Sequence, residues 1–379
     1  MAKILVIEGN KVTRLAQTKF TEEGKLQDYL EEYPSLIPLG EIVEGASDLL
    51  CIGREVGIPS GAIDLLFIDK DGLLTVVETK LVKNPEIRRE VIGQIVEYAS
   101  YISQWTADDV YRVASEYFSK SEMVPSGYKG STLDGVMKKL GGDEFSDEDF
   151  RSNIWQNVKD GRIRLIIAVD ELVEPLRVIV TFLNAYSKFD ILLLQVSSFE
   201  ESKSRKVLIP SLFGYKPLPQ SPVRKKWDEE RFFTDTKEKC EGLMVDAIIE
   251  LYKFTKSNAD DISWGTGAFT GSFTFRKLGH KTLVSVFAVY SNGDIQLNFG
   301  DMKGKGLEEE SLESFRAKLN EILDVKLPED VVTKQGKYPY MKANFITKAQ
   351  NLESFQSAVL ALCQQIESSG DKQENVQTI

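Results

Sequence analysis

The stretch GAIDLLFIDKDGLLTVVETKL, residues 61–81, sets three ionic side chains into two runs of Ile, Leu and Val. Asp64, Glu78 and Lys80 stand where apolar side chains belong. The tetrapeptide DKDG between the runs suits a type I turn followed by Gly72 in the left-handed conformation, a three-residue hairpin loop. Closing that loop on Asp69 and Leu73 puts position 64 opposite position 78, and opposed side chains lie about 4.5–5.5 Å apart at Cβ. Glu78 and Lys80 are two apart on one strand and share a face. The three groups therefore converge on one patch.

On an exposed strand face such a set would be a cross-strand ion network worth less than about 1 kcal/mol. The flanking runs are nearly continuously apolar, however, as in strands covered on both faces. Charge placed there needs compensation. Two carboxylates this close repel, so one takes a proton or a cation sits between them. A divalent ion with oxygen ligands suits the pair. Mg²⁺ uses one or two carboxylates, keeps waters and accepts phosphate oxygens. Lys80 would then reach a metal-bound water, to orient or deprotonate it, or to stabilise charge developing on a phosphate.

Outward from this hairpin, residues 3–15 read as a hairpin turning at EGNK, and residues 21–32 as a helix with Leu26, Tyr29 and Leu30 on one side and Pro34 after its end. Strands are expected near 48–53, 62–69 and 73–81. Asn84 and Pro85 suit the N-cap and first residue of a helix running to about 104. Its apolar face is Ile87, Val91, Ile95, Ala99 and Ile102. Gln94 and Tyr98 lie four apart on the adjacent face, with Gln94 at the rim of the carboxylates. Arg88 and Arg89 lie in its first turns, placed to contact phosphates. On the earlier helix Glu23 is a further candidate metal or water ligand, with Glu22 its rival. Glu55, in CIGREVG, is another acidic candidate near the site, with a structural ion pair to Arg54 the favoured reading.

Residues 105–160 are polar with Gly-rich breaks and read as an excursion from the core. Residues 163–200 read as strand, helix, strand, a βαβ unit that makes part of the sheet parallel. The first domain then spans about 1–215, a Pro-rich basic linker 216–226, and a second domain 227–379 whose polar tail from about 368 reads as disordered. In the second domain helices precede and follow short strands, and Asn292-Gly293 suggests a type I′ hairpin. Trp264, Phe269, Phe273 and Phe275 read as core. GTGAFTG, residues 265–271, lacks the Lys-Ser/Thr of a phosphate loop. The basic clusters at 203–206 and 224–226 read as solvated.

Composition limits the chemistry. Hydrophobic residues make up 42% and charged residues 28%, ordinary for a globular chain with two cores. The net charge of −11 argues against binding nucleic acid through charge alone. His280 is the single histidine, which removes His-rich metal hydrolases and reads as a surface residue. Three scattered cysteines make neither a disulfide framework nor zinc spacing. No run is apolar enough to span a membrane and the N-terminus does not read as a signal peptide, so a cytoplasmic location is expected.

Asp64, then Glu78-Thr79-Lys80, then Gln94-xxx-Tyr98, behind an acidic helix and a hairpin, resembles the PD-(D/E)XK nuclease superfamily. The likeness covers about residues 20–105, and the βαβ unit would complete the core sheet. Ile63 stands where the motif's name has proline. The layout is also similar to uncharacterised bacterial nuclease-like proteins with a second α+β domain. The resemblance implies a restriction-endonuclease-like α/β core, a mixed sheet flanked by helices, followed by a smaller α+β domain for substrate binding or dimerisation. It implies Mg²⁺ or Mn²⁺ on Asp64 and Glu78, Lys80 serving the water nucleophile, and Glu23 and Gln94 supporting the site. It further implies a metal-dependent nuclease acting on phosphodiester bonds, with DNA as partner. Many nucleases that cut both strands use two active sites, which a homodimer would supply. The alternatives are a non-cleaving nucleic-acid-binding module that keeps the fold, or a protein-interaction module.

Overall fold

The computed structural model describes residues 3–9, 11–41, 48–85, 90–141, 145–186, 190–202, 205–214, 226–267, 270–279, 282–323, 326–334 and 336–368. The chain divides into two compact units, Met1–Gln220 and Ser221–Ile379. Over the described residues the first is a mixed sheet flanked by helices.

In the first unit β1 (Lys3–Glu8) and β2 (Lys11–Thr18) pair as the expected hairpin. Helix α1 (Glu23–Glu32) follows and drives Leu26 and Leu30 into the core. Then come β3 (Leu50–Ile58), β4 (Gly61–Ile68) and β5 (Leu74–Lys80). Helix α2 (Glu90–Ile102) is described from Glu90, so the expected cap and first turns, with Ile87, Arg88 and Arg89, lie partly outside the described residues. Helices α3 (Ala107–Lys120), α4 (Leu133–Gly141) and α5 (Asp147–Lys159) come next. The unit closes with β6 (Ile163–Val169), α6 (Glu174–Tyr186), β7 (Asp190–Ser202) and β8 (Arg205–Phe213).

The sheet runs β1-β2-β7-β6-β5-β4-β3, with β8 also on β7. β5, β6 and β7 are parallel neighbours, as the βαβ reading requires. β5 and β6 are buried at every position, which accounts for their unbroken apolar runs. β8 was not anticipated: it contains Pro210, which suits a strand paired on one side only.

The DKDG loop closes as expected. The Asp69 amide donates to Leu73 O (3.2 Å), and the Gly72 amide to Asp69 O (3.0 Å). Asp69 Oδ1 accepts from the amides of Asp71 and Leu73, and Gly72 has φ +68°. The ladder runs Ile68↔Leu74 to Leu65↔Val77, so its next step sets Asp64 across from Glu78.

Residues 105–160 are not an excursion. Val110, Ala114 and Phe118 on α3, Val136 on α4, and Phe150, Ile154 and Val158 on α5 are buried in the same core as the sheet. The polar composition reflects amphipathic helices with one solvated face. Thr106 caps α3 in a reciprocal capping box with Asp109.

The second unit holds α7 (Glu229–Lys239) and α8 (Gly242–Asn258), then β9 (Asp261–Trp264), β10 (Ser272–Leu278), β11 (Leu283–Tyr290) and β12 (Asp294–Leu297). α9 (Phe299–Gly304), α10 (Glu309–Ile322), α11 (Asp330–Thr333), β13 (Tyr340–Lys342) and α12 (Ala349–Ser368) complete it. The strands form an antiparallel sheet in the order β13-β12-β11-β10-β9. The Asn292-Gly293 turn is not type I′. Only Gly293 has positive φ there (+80°), and the Gly293 amide donates to Tyr290 O (2.9 Å), as in a three-residue loop ending left-handed. Phe273 and Phe275 are core, as expected, while Phe269, His280 and the tail lie outside the described residues.

Candidate active site

β4 and β5 deliver the two acids, and α2 covers them. The hairpin register puts Asp64 and Glu78 face to face. Asp64 Oδ2 accepts from the Thr79 amide (2.7 Å) and the Thr79 hydroxyl (2.6 Å). Among the described residues no donor reaches Asp64 Oδ1. Burial raises the Asp64 pKa, the Thr79 bonds oppose that, and the charge of Glu55 adds to it.

Glu78 is 2% exposed. Its Oε1 lies 3.2 Å from Lys80 Nζ, while Oε2 is buried with no hydrogen-bond donor aligned on it. Burial, and then repulsion from Asp64, push the Glu78 carboxyl up to about 7. Burial alone would lower the Lys80 pKa, but Glu78 and the fields of Glu23 and Asp64 outweigh it and raise it, so the side chain is an ammonium at neutral pH. That favours its stabilising negative charge over its taking a proton from water.

Tyr98 is buried, and its hydroxyl lies within reach of Glu78. Burial and the charges of Glu78 and Asp64 raise its pKa, so it is a neutral donor. Gln94, one turn earlier, has its Oε1 buried without a partner. Gln94 and Glu78 thus each present an orphaned acceptor, a high-cost arrangement in a finished core.

The structure places Glu23 and not Glu22 toward this patch, because Glu22 is the exposed N-cap residue of α1. Glu23 Oε1 accepts from the Leu81 amide (3.1 Å) and Asn84 Nδ2 (3.0 Å). One oxygen of its carboxylate is thus engaged with the chain leaving β5, and its charge acts on Glu78 and Lys80.

Glu55 lies near the site, but the expected pair with Arg54 does not form. Arg54 pairs with Glu31 (2.5 Å) and Asp28 (2.9 Å), not with Glu55. The β3–β4 register, Arg54↔Leu65 and Val56↔Ile63, instead places Glu55 across from Asp64. Glu55 has φ +49°, the one positive-φ non-glycine among the described residues. Gln27 on α1 holds it: Gln27 Nε2 donates to Glu55 Oε1 (2.8 Å) and to the Asp64 carbonyl (3.0 Å). A row of three carboxylates, Glu55, Asp64 and Glu78, thus crosses three strands.

Sequence reasoning missed Gln27 and Thr79. No local signal marks Gln27, whose part depends on where α1 docks. Glu55 was open to the hairpin argument: a two-residue turn at Pro59-Ser60, closing on Ile58 and Gly61, sets 55 against 64. Behind these residues Glu31, fully buried as a side chain, accepts from Arg54, Tyr117 (2.9 Å) and Ser121 (3.1 Å), which ties α1, β3 and α3 together.

A divalent cation fits this donor set. Glu78 Oε2 is buried without a donor, the Thr79 bonds to Asp64 fall on Oδ2, and a cation would relieve the repulsion that raises Glu78. Among the described residues no three His, Cys, Asp or Glu side chains are grouped to hold an ion by themselves. Two carboxylates with waters and phosphate oxygens are enough for Mg²⁺. Among the described residues no helix is long and apolar enough to cross a membrane. No protein-family model matches the sequence, and neither curated proteins nor solved structures give a significant match to the chain.

Proposed function

We propose that the first unit is a PD-(D/E)XK-like, Mg²⁺- or Mn²⁺-dependent nuclease that hydrolyses phosphodiester bonds of DNA on a restriction-endonuclease-like core. The observation that carries this reading is the buried, donorless Oε2 of Glu78 facing Asp64, with the Lys80 ammonium 3.2 Å from Glu78 Oε1. When bound, the ion supplies Lewis-acid activation of water and phosphate. Asp64 and Glu78 hold it, and Thr79 fixes the Asp64 carboxylate in place. Lys80 stabilises negative charge building on the phosphate oxygens. Tyr98, kept neutral by burial and by the charges of Glu78 and Asp64, stands beside Glu78 with its hydroxyl proton in place. Gln94 offers its orphaned oxygen to a water.

The test is cleavage of plasmid and linear DNA by the purified chain with Mg²⁺ or Mn²⁺ against EDTA. Cleavage that depends on metal and drops by about 10²-fold or more in Asp64→Ala and Lys80→Ala is expected. Retained cleavage in both variants overturns the mechanism. DNA binding without turnover under any metal would point to the non-cleaving module.

A further inference from the structure

A cleft of about 780 Å³ opens beside the carboxylate row, inside the first unit. One wall is the outer edge of β3, the terminal strand of the sheet. The others are the end of α2 with the turn after it, and the face of α3. Glu55 lines this cleft and stands across from Asp64 in the strand register, so the cleft adjoins the row.

The lining suits a flat, uncharged, hydrogen-bonding ring better than a phosphate. Tyr101 and Trp105 line it, half-buried and four residues apart, and bring aromatic surface to the cleft. Among the described residues β3 has a strand partner on one side only, which leaves an edge of the kind that meets the rim of a base. Charge is mixed. Arg112 and Lys120 are exposed and share Glu116 between them at 3.4 and 3.9 Å, Arg54 is taken by Glu31 and Asp28, and Glu55 adds a second carboxylate to the lining. A phosphate would be poorly held here, whereas the carboxylate pair with its ion would hold it next door. The volume lies in the roughly 300–1,000 Å³ range of pockets for small organic groups.

We propose that this cleft takes an unpaired nucleobase of the strand being cut, adjacent to the phosphate held at Asp64 and Glu78. The protein then acts on single-stranded or splayed DNA in preference to intact duplex. This rests on the nuclease reading for the location of the phosphate, but its test does not.

The experiment measures anisotropy of a labelled single-stranded oligodeoxynucleotide, and of the blunt duplex of the same sequence, with the full chain in EDTA. Single-strand binding at least about tenfold tighter than duplex is expected. Stacking of one base is worth about 5- to 150-fold in affinity, so Trp105→Ala and Tyr101→Ala should each lose that much, while Trp105→Phe keeps most of it. The oligonucleotide should also quench tryptophan fluorescence in the wild type more than in Trp105→Phe, which reads the cleft even if the alanine variants fold poorly. Equal affinity for duplex, or an unmoved Trp105 signal, overturns the proposal. A protein that binds as expected but never cuts overturns the nuclease reading alone. One that cuts with metal while Trp105→Ala and Tyr101→Ala leave single-strand binding unchanged, and Trp105→Phe leaves the quenching unchanged, overturns the cleft alone.

Discussion

Asp64 Oδ2 takes both the amide and the hydroxyl of Thr79, at 2.7 and 2.6 Å, across the point where the β4–β5 ladder ends. The two bonds hold the carboxylate against its repulsion from Glu78. Replacing Thr79 by Val keeps the shape and the amide bond but removes the hydroxyl. We expect Thr79→Val to lose about 1 kcal/mol of stability by denaturant titration. The same variant should weaken Mn²⁺ binding by calorimetry. Unchanged metal affinity would mean that the hydroxyl does not position Asp64.

The pH dependence follows from Glu78. Its folded pKa, about 7, lies above the ordinary 4.5, so the folded chain binds more protons than the unfolded chain between those values. In chelator, stability is therefore fully present below about pH 4.5 and falls as pH rises through 7, by on the order of 3 kcal/mol. Melting curves of wild type against Glu78→Gln across that window check this. The variant's curve should lose the fall, and an identical slope in both would count against the buried carboxylate as its source.

Gly72 sets the register of the two acids. It has φ +68°, and a Cβ there would lie 2.8 Å from Ile154 N on α5. Gly72→Ala should cost at least about 1–3 kcal/mol, with thermal melting as the readout. Because a one-residue slip turns every side chain of a strand to the other face, the variant should also lose metal binding out of proportion to its stability.

The Arg54–Glu31 pair braces the same site from behind, with the Glu31 side chain fully buried. Arg54→Met leaves that carboxylate uncompensated apart from Tyr117 and Ser121, and should cost about 3–5 kcal/mol. Adding Glu31→Gln to Arg54→Met should recover part of it. A double variant no more stable than the single one would contradict a charge-burial origin.

Gln27→Leu removes the bridge between Glu55 and the Asp64 carbonyl while preserving bulk. Glu55 would be released from its left-handed backbone, and the loss should be about 1–3 kcal/mol. Chemical-shift changes reaching residues 53–57 are the expected signature, and a silent spectrum there would refute the bridge.

The hairpin chemistry was legible from the chain itself. DKDG demands a loop of one length, strands alternate their faces, and so Asp64 meets Glu78 with Lys80 beside them whatever else the fold does. The unbroken apolar runs of β5 and β6 equally announced strands buried on both faces. Those are local or nearest-neighbour consequences of sequence. The helices at 107–159 escaped because their solvated faces dominate composition, and their apolar faces mean nothing until a sheet lies beneath them.

What only the tertiary structure decided is the company the acids keep. Docking of α1 brought Gln27 to Glu55 and Asp64, turned Glu23 to the Leu81 amide and drew Arg54 away from Glu55 toward Glu31. Each is a contact between residues more than twenty positions apart, fixed by packing that no spacing encodes. Burial itself is of the same kind. The sequence by itself set two carboxylates and an ammonium on one face. The packed fold excluded water from them, and so raised Glu78 toward neutrality and left its Oε2 without a donor.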